Sequence, residues 1–314
     1  MLKPGTGFRP ATYNDAHFAA AVASAAEPNR PEVAEELLEK WINTEKGSQV
    51  RRFIVQEDGV DRCWISLVQP ASSGLATYLN LLIPAANEKM LPDAVVFGEG
   101  QAREMGASEL ICVVHEDNRH AVEWLRASGW TQERRERFWR LDLEANAGRI
   151  REFRKAAQQR LKTTDVAIRT VADLGGEAFL ARLLTVRHAT VADIPKSVEY
   201  VPEPYEDWIV WMQPPAVLPE RIWVAVLDGQ PIGYSFLAYR PSLVETGYTG
   251  VLREHRGKGL ARALKLETLM QAIDLGVTAV ETDNDSENAP ILHLNEELGY
   301  KEMPGKLEFH RKLT

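Results

Sequence analysis

The sequence is poor in cysteine, in long apolar runs and in positive charge, and each shortage excludes a class of protein. Its 314 residues hold two cysteines, Cys63 and Cys112, too few for a disulfide framework, and we expect both as buried thiols. No run approaches the roughly 18 apolar residues of a membrane span. No apolar segment follows Met1, so we expect no secretory signal and a cytoplasmic protein. The net charge of -8 argues against a nucleic-acid partner.

Motifs of two hydrolase classes are also missing. No Gly-x-Ser-x-Gly segment occurs, so nothing indicates a nucleophilic serine. His115 and His120 lie five residues apart, whereas the zinc-binding His-Glu-x-x-His pattern places its histidines four residues apart on one helical face. We therefore expect no metal site.

A constant offset of 170 residues relates the two halves of the chain. Asp58-Gly59 recurs as Asp228-Gly229, Gly106 as Gly276, Asn118 as Asn288 and Gly129 as Gly299. These residue types form turns and end helices, so they mark the same points of the same fold. The sequence predicts two copies of one domain, at residues 1–143 and 166–314, joined by a linker helix at 144–165.

In the second copy, apolar periodicity and turn residues predict an ordered series of strands and helices. Strands are expected at Val166–Arg169, Arg221–Leu227, Pro231–Tyr239, Val244–Leu252, Val277–Thr282 and from about Leu307 to Leu313, and helices at Glu177–His188, Tyr205–Met212, Leu260–Leu275 and Pro290–Leu298. This order predicts an α+β (α/β layered) fold, in which each domain is a mixed, mostly antiparallel sheet flanked by helices. Trp208 and Trp211 could belong to the core or line a substrate pocket.

The segment that carries chemistry joins a strand to the long helix of the second copy. Gly257 and Gly259 let the backbone approach a ligand, and Arg256 and Lys258 add positive charge at a helix N-terminus, which is a site for a phosphate or pyrophosphate. A dinucleotide fingerprint would need glycine or alanine where Arg262 stands. A Walker A loop would need serine or threonine after Lys258, where Gly259 stands.

The run Arg256-Gly257-Lys258-Gly259-Leu260-Ala261 resembles motif A of the GNAT acetyltransferases. Asn288-Ala289-Pro290 and Leu298-Gly299-Tyr300 are similar to the next signature of that family. The resemblance implies an acetyl-CoA-dependent N-acetyltransferase with acetyl-CoA as co-substrate, no metal, and a small-molecule amine as acceptor. The tandem layout is similar to that of the mycothiol synthases.

The resemblance also implies where acetyl-CoA would bind. The backbone amides of motif A, residues 256–261, would hold its pyrophosphate. The strand residues Thr249, Gly250 and Val251 would lie along its pantetheine arm, and Asn288 would contact the same arm.

For the proton removed from the amine, the resemblance implies a carboxylate six residues before Val251, which is Glu245. A solvated carboxylate at a strand end is the alternative role for this residue. Glu281 and Asp283 on the next strand are secondary candidates for the base.

One position departs from the family pattern. Asn295 stands where many members carry the tyrosine that protonates the leaving thiolate, and an amide cannot transfer a proton at neutral pH. Tyr248 or Tyr300 could supply the proton, or the thiolate could leave unprotonated. The departure favours an alternative function, a non-catalytic protein that binds acyl-CoA or a partner.

The first copy lacks the anion site. Shifted by the offset, motif A falls on residues 86–91, without either glycine and with Glu88 where an anion would bind. We expect this half to bind no acetyl-CoA and to serve as a structural partner that shapes the substrate pocket.

Overall fold

The computed structural model describes residues 3–28, 31–71, 74–194 and 200–313. The described residues divide into two units. Within the described ranges, unit 1 comprises residues 3–136, 200–203 and 304–313, and unit 2 comprises 137–194 and 204–303. These limits differ from the predicted domains, because the predicted linker belongs to unit 2 and the last residues belong to unit 1.

The strands lie at β1 (Thr6–Pro10), β2 (Ser48–Glu57), β3 (Val60–Pro70), β4 (Ala76–Leu82), β5 (Glu109–His115), β6 (Thr131–Asp142), β7 (Ala167–Thr170), β8 (Ile222–Leu227), β9 (Gln230–Tyr239), β10 (Val244–Val251), β11 (Ala279–Asp285) and β12 (Lys301–Lys312). Strands β6 and β12 each contribute residues to both units. Mixed sheets with helices confirm the predicted fold class.

The helices lie at α1 (Ala16–Ala26), α2 (Ala34–Lys46), α3 (Leu91–Glu104), α4 (Arg119–Ala127), α5 (Leu143–Leu161), α6 (Glu177–Leu180), α7 (Leu183–Val191), α8 (Tyr205–Ile209), α9 (Leu260–Asp274) and α10 (Ala289–Leu298). The predicted helix at 177–188 is therefore two shorter helices, and the one at 205–212 ends in a 3₁₀ turn. Among the described residues, no helix has the length and apolar character needed to span a membrane.

In unit 1, β1 to β4 pair antiparallel in chain order and β4 pairs with β5 in parallel. Alternate side chains of the strands point to opposite faces. Cys63, Ile65 and Cys112 therefore face α3 and α4, while Ile54 and Trp64 pack with α1 and α2. Both cysteines are buried free thiols, which confirms that prediction.

Unit 2 repeats the arrangement. Strands β7 to β10 pair antiparallel in chain order, β10 meets β11 in parallel, and β11 borders β6. Helices α5 and α9 contribute to one core cluster with Leu237 and Val280 of the sheet. Helices α6 to α8 contribute to another cluster, in which Trp208 is buried, whereas Trp211 remains 48% exposed.

The two Asp-Gly turns have the same backbone conformation. Asp228 and Gly229 have φ of 49° and 73°, and Asp58 and Gly59 have φ of 50° and 79°. Two successive left-handed residues define the type I′ turn that joins twisted antiparallel strands. The offset of 170 residues thus relates equivalent hairpins, β2–β3 and β8–β9.

The last strand differs from its predicted place. It was assigned to the second domain, but Lys306 to Lys312 of β12 pair antiparallel with β5 of unit 1, and Phe309 lies opposite Cys112. Leu307 and Phe309 belong to the unit 1 core. Position in the chain does not specify which sheet edge a terminal strand joins, because pairing is set by register and by the core that its side chains complete.

We predict that Phe309→Ala destabilises unit 1. The ring is fully buried, and removing a buried phenylalanine ring costs about 3–5 kcal/mol. Hydrogen exchange measured peptide by peptide should show faster exchange in β5. The matched control is Phe236→Ala, the same change in the unit 2 core, which should affect β8 and β9. If Phe309→Ala accelerated exchange in β8 and β9 and left β5 unchanged, this assignment of the strand would be wrong.

Candidate functional site

The candidate site lies where β10 stops pairing with β11. Their parallel ladder is limited to Glu245 opposite Glu281 among the described residues. From Thr246 to Val251, β10 is hydrogen-bonded to β9, and no strand of the described chain pairs with its other edge. Such an edge carries backbone donors and acceptors that an extended ligand can use.

A β-bulge lies at the start of this unpaired edge. The register of β9 and β10 shifts between Thr246 and Tyr248, which leaves Gly247 as the extra residue. A Cβ atom at Gly247 would lie 2.1 Å from a ring carbon of Phe236, so only glycine fits. A Cβ atom at Gly250 would lie 2.7 Å from a ring carbon of Tyr248 and 2.9 Å from Thr190 Oγ1. Close packing behind the strand therefore requires both glycines.

The predicted anion loop follows β10 directly. Gly257 and Gly259 have φ of 74° and 78°, in the left-handed region that glycine adopts without strain. Gly259 is the N-cap of α9, no side chain caps this end, and the first turn holds no acidic residue. The N–H groups of the first turn are thus available to an anion, with the positive end of the helix dipole behind them.

The arginine of the loop has a role that sequence reasoning missed. Arg256 Nε donates to the Val251 carbonyl at 2.8 Å, and its guanidinium also donates to Asp193 Oδ2 at 2.7 Å. Arg253 donates to the other oxygen of the same carboxylate. The hydrogen bond from Arg253 is the main cause that lowers the pKa of Asp193, and the hydrogen bond from Arg256 lowers it further. Arg256 therefore ties the loop to the end of its strand and to the residues that follow α7.

The other predicted loop residues divide into exposed and buried groups. Lys258 is exposed, and its ammonium donates to the Glu254 carbonyl at 3.4 Å. Val251 and Leu260 are buried in one apolar cluster, against which Ala261 packs. Thr249 Oγ1 forms hydrogen bonds with Ser235 Oγ and the Tyr248 carbonyl. These buried side chains hold the loop in place, while its backbone at Gly257 and Gly259 and the Lys258 side chain are exposed.

Asn288 is the N-cap residue of α10, but its side chain forms no cap hydrogen bond. Its counterpart in unit 1, Asn118, uses its Oδ1 to accept from the Ala121 backbone at 3.2 Å. Asn288 is half-buried, and its side-chain amide has no hydrogen-bond partner among the described residues. Its amide is therefore available to a ligand.

Glu245 is the residue of β10 that pairs with β11, and about a third of its side chain is exposed. Its Oε1 atom lies 3.4 Å from Arg240 Nε. Glu281, opposite on β11, is buried and accepts from Arg140 at 2.7 Å. Asp283 is exposed two residues further on. Of the three carboxylates, Glu245 and Asp283 remain accessible beside the unpaired edge.

A buried lysine contacts the asparagine that replaces the family's tyrosine. Lys265 of α9 is 1% exposed and donates to Asn295 Oδ1 at 3.0 Å. Asn295 Nδ2 in turn donates to Asn284 Oδ1 at 2.7 Å. Because Lys265 Nζ donates to Asn295 Oδ1, the amide nitrogen of Asn295 faces Asn284 Oδ1, and Asn284 Nδ2 is a donor with no partner among the described residues. Burial lowers the pKa of Lys265 to about 7, against the opposing effect of Asp283.

The two tyrosines considered as acids differ in surroundings. The Tyr248 hydroxyl shares a 2.6 Å hydrogen bond with Thr190 Oγ1. Tyr300 is 3% exposed, and its hydroxyl lies beside Thr246 Oγ1, but neither oxygen has a hydrogen-bond partner of good geometry among the described residues. Burial raises the pKa of Tyr300. Both phenols lie near the unpaired edge, since Tyr248 and Thr246 are residues of β10.

The equivalent region of unit 1 is built differently. Strands β4 and β5 pair over five residues, Ala76 to Asn80, so they leave less of the edge open. Helix α3 has Pro92, which has no N–H, in its first turn. The buried Asp93 carboxylate follows it and accepts from Thr6 at 2.8 Å. This helix end is already occupied by an acid of the chain.

Residues 187–300 match the sequence pattern of the acetyltransferase (GNAT) family. The matched segment contains the unpaired edge, the loop and both signature segments of unit 2. Residues 187–300 are therefore similar to a GNAT acetyltransferase domain. A comparison with curated proteins gave no match.

Solved structures extend the likeness to the whole chain. A GCN5-related N-acetyltransferase from Sphaerobacter thermophilus aligns over 100% of this chain and 97% of its own, with 16% identity and a TM-score of 0.75. A tandem GNAT protein from the clavulanic acid biosynthesis pathway aligns over 98% and 99%, with 15% identity and a TM-score of 0.72. A glucosamine N-acetyltransferase region of a fungal multi-domain β-N-acetylglucosaminidase covers 99% of this chain and 38% of that one, with 13% identity and a TM-score of 0.71. The chain thus has the tandem GNAT fold.

We predict that Lys265→Met changes how stability depends on pH. The folded protein holds this lysine with a pKa near 7, while the unfolded chain has the ordinary value of 10.5. Between these values the unfolded state binds more protons, so wild-type stability rises with pH by about 1.4 kcal/mol per unit from this group. The variant lacks this contribution.

The measurement is urea unfolding of both proteins at several values between pH 7 and 9.5. The stability of Lys265→Met relative to wild type should be greatest at pH 7 and decline as the pH rises. Lys155→Met, at an exposed position of α5, is the control and should leave the slope unchanged. Equal slopes for wild type and Lys265→Met would contradict the burial of a neutral amine.

Proposed function

We propose that the GNAT domain transfers an acetyl group from acetyl-CoA to the amine of a small molecule. One observation carries the proposal: a loop with two left-handed glycines connects an uncapped helix N-terminus to a strand edge that no other strand pairs with among the described residues. A pyrophosphate fits the first feature and an extended amide-bearing arm fits the second. The family match over residues 187–300 supports the pairing of the two.

The residues fit acetyl-CoA at three points. Backbone N–H groups of residues 257–261 would hold the pyrophosphate, with Lys258 supplying charge. The backbone of Thr249, Gly250 and Val251 would pair with the amides of the pantetheine arm. The unused Asn288 amide would add a contact to the same arm, and Arg256 would hold the loop in position through Val251 and Asp193.

When bound, acetyl-CoA supplies an activated thioester, so the protein has to position the amine and remove a proton. Glu245 is the proposed base, because it is accessible at the end of the ladder where the edge begins. Arg240 Nε donates to Glu245 Oε1 at 3.4 Å, which orients the carboxylate at this end of the edge. With Asp283, it also gives this end of the site a negative character that suits a cationic amine.

The departing thiolate needs stabilisation or a proton. The chain from Lys265 through Asn295 leaves Asn284 Nδ2 as a donor, which can stabilise negative charge without transferring a proton. Tyr300 is the proposed alternative source of a proton, because its buried hydroxyl lies beside Thr246 of β10. A small-molecule amine is the proposed acceptor, and amino sugars belong among the compounds to test, because one structurally similar region acts on glucosamine.

The second candidate is a protein that binds acyl-CoA without turnover. Asn295 favours it, since this residue stands where many GNAT members carry the tyrosine acid and both ends of its side-chain amide are engaged. Release of free CoA thiol across a panel of primary amines separates the two functions. Turnover with any amine supports the transferase, whereas tight acetyl-CoA binding without thiol release supports the binding protein.

We predict that Gly259→Asp abolishes acetyl-CoA binding, because it adds negative charge and a strained residue at the anion site. Gly276→Asp is a matched control, since Gly276 has the same φ of 78° and lies at the far end of the same helix. The control carries equal strain and charge but should bind normally. Calorimetry should show one acetyl-CoA per wild-type chain. Equal affinity of a folded Gly259→Asp for acetyl-CoA would contradict the site.

We predict that Glu245→Gln lowers turnover about a hundredfold or more while acetyl-CoA affinity stays unchanged, since general bases contribute roughly 10²–10⁴ to a rate. The amide is nearly isosteric but accepts no proton, so the acidic limb of the pH–rate profile should disappear. Glu281→Gln and Asp283→Asn are the comparison variants. Wild-type turnover and an unchanged limb in Glu245→Gln would transfer the role to one of them.

A further inference from the structure

A cavity of about 700 Å³ opens beside the anion loop. It lies between the C-terminal part of α5 and the first turn of α9, and the end of β8 contributes to its wall. His255, Lys258 and Gly259 of the loop line it, and none of the described residues lining it comes from β10 or β11. Among the described residues, the loop is therefore the element that borders both the cavity and the unpaired edge of β10.

The walls of the cavity are largely apolar. Phe153, Ala157 and Leu161 of α5 form one side, and Val166 and Leu227 contribute another. The volume is within the range of pockets that hold small ligands. An aromatic ring next to aliphatic side chains suits a flat heterocycle, which can stack on the ring and bury its faces.

The charges around the cavity favour an anion. Arg160, Lys258 and His255 line it, and the exposed Asp165 is the one acidic residue among the described residues that do so. Arg262 also lines it, but that guanidinium donates to Glu297. The Arg160 guanidinium forms no ion pair or hydrogen bond with the described residues. An unpaired arginine is a ready partner for a phosphate, which it can bind through two parallel hydrogen bonds.

We propose that this cavity holds the adenosine 3′-phosphate end of acetyl-CoA, with the base against the apolar wall and Arg160 at the 3′-phosphate. The inference rests on the proposed function. In CoA the pyrophosphate lies between the pantetheine arm and the nucleoside. If the loop holds the pyrophosphate and the β10 edge holds the arm, the nucleoside must leave the loop elsewhere. The cavity adjoins the loop and combines an apolar wall with an unpaired cation.

This assignment gives the helix between the two halves a ligand-binding role. Helix α5 precedes the first strand of the GNAT domain proper and lies outside the matched segment at 187–300. It nevertheless supplies Arg160 and most of the apolar wall.

The test compares CoA with dephospho-CoA, which lacks only the 3′-phosphate, by calorimetry. Wild type should bind CoA more tightly. Arg160→Ala should lower the affinity for CoA about tenfold and the affinity for dephospho-CoA less than about twofold. This is the effect expected for the loss of one charged hydrogen-bonding partner. Arg151→Ala is the matched control: it removes the same charge from an exposed position of α5 outside the cavity and should change neither affinity. Ala156→Trp, which places a large side chain in the cavity from an exposed position, should lower the affinity for both ligands.

The outcomes separate this inference from the proposed function. If wild type binds neither ligand, the acetyl-CoA site and this subsite are both wrong. If CoA binds but Arg160→Ala weakens both ligands equally or neither, the 3′-phosphate is not at Arg160 and the proposed function stands. Unchanged affinities in a folded Ala156→Trp place the base outside the cavity and overturn the inference.

Discussion

The candidate site depends on the early end of one parallel ladder. Strands β10 and β11 pair at Glu245 and Glu281, and beyond that pair the outer edge of β10 has no strand partner among the described residues. Unpaired backbone groups inside a protein must find other partners. The bulge at Gly247 accompanies this end of pairing, and the loop that follows supplies a helix N-terminus without a cap. Together these features place unpaired backbone groups of a strand edge and of a helix N-terminus next to each other in the candidate site.

Polar side chains around this surface are mostly engaged in holding it. Asp193 binds Arg253 and Arg256, so the positive charge of the loop is partly neutralised by the chain itself. Lys265 and Asn295 form a buried chain that ends at Asn284. A buried amine that loses its proton near neutral pH lessens the cost of placing a charge in the core. Among the groups that remain accessible are Lys258, Glu245, Asp283 and the loop backbone, together with the Asn288 side-chain amide.

The two units differ in the features from which this surface is built. In unit 1 the ladder of β4 and β5 is longer, and α3 begins with Pro92 and the Asp93 carboxylate. In unit 2 glycine stands at the helix N-cap and no acid lies in the first turn. The hairpin turns at Asp58 and Asp228 have almost the same φ in both. The turn geometry is common to both units, whereas the glycine N-cap of α9 has no equivalent in α3, whose N-cap residue is Met90.

The sequence by itself determined the repeat, the hairpins, the fold class and the position of the glycine loop, because these follow from local backbone demands and periodicity. The resemblance of its motifs to the GNAT pattern also implied roles for Glu245 and Asn288, but not the surroundings of either residue. Only the tertiary structure decided that β12 joins unit 1, that Arg256 is tied to Asp193, that Lys265 contacts Asn295 and that α5 borders the loop. A lysine between Leu264 and Leu266 was a signal that could have been followed. Its partner, Asn295, could not be predicted in the same way. Contacts between residues far apart in the chain depend on how helices pack and which strand edges pair, and no local pattern encodes them.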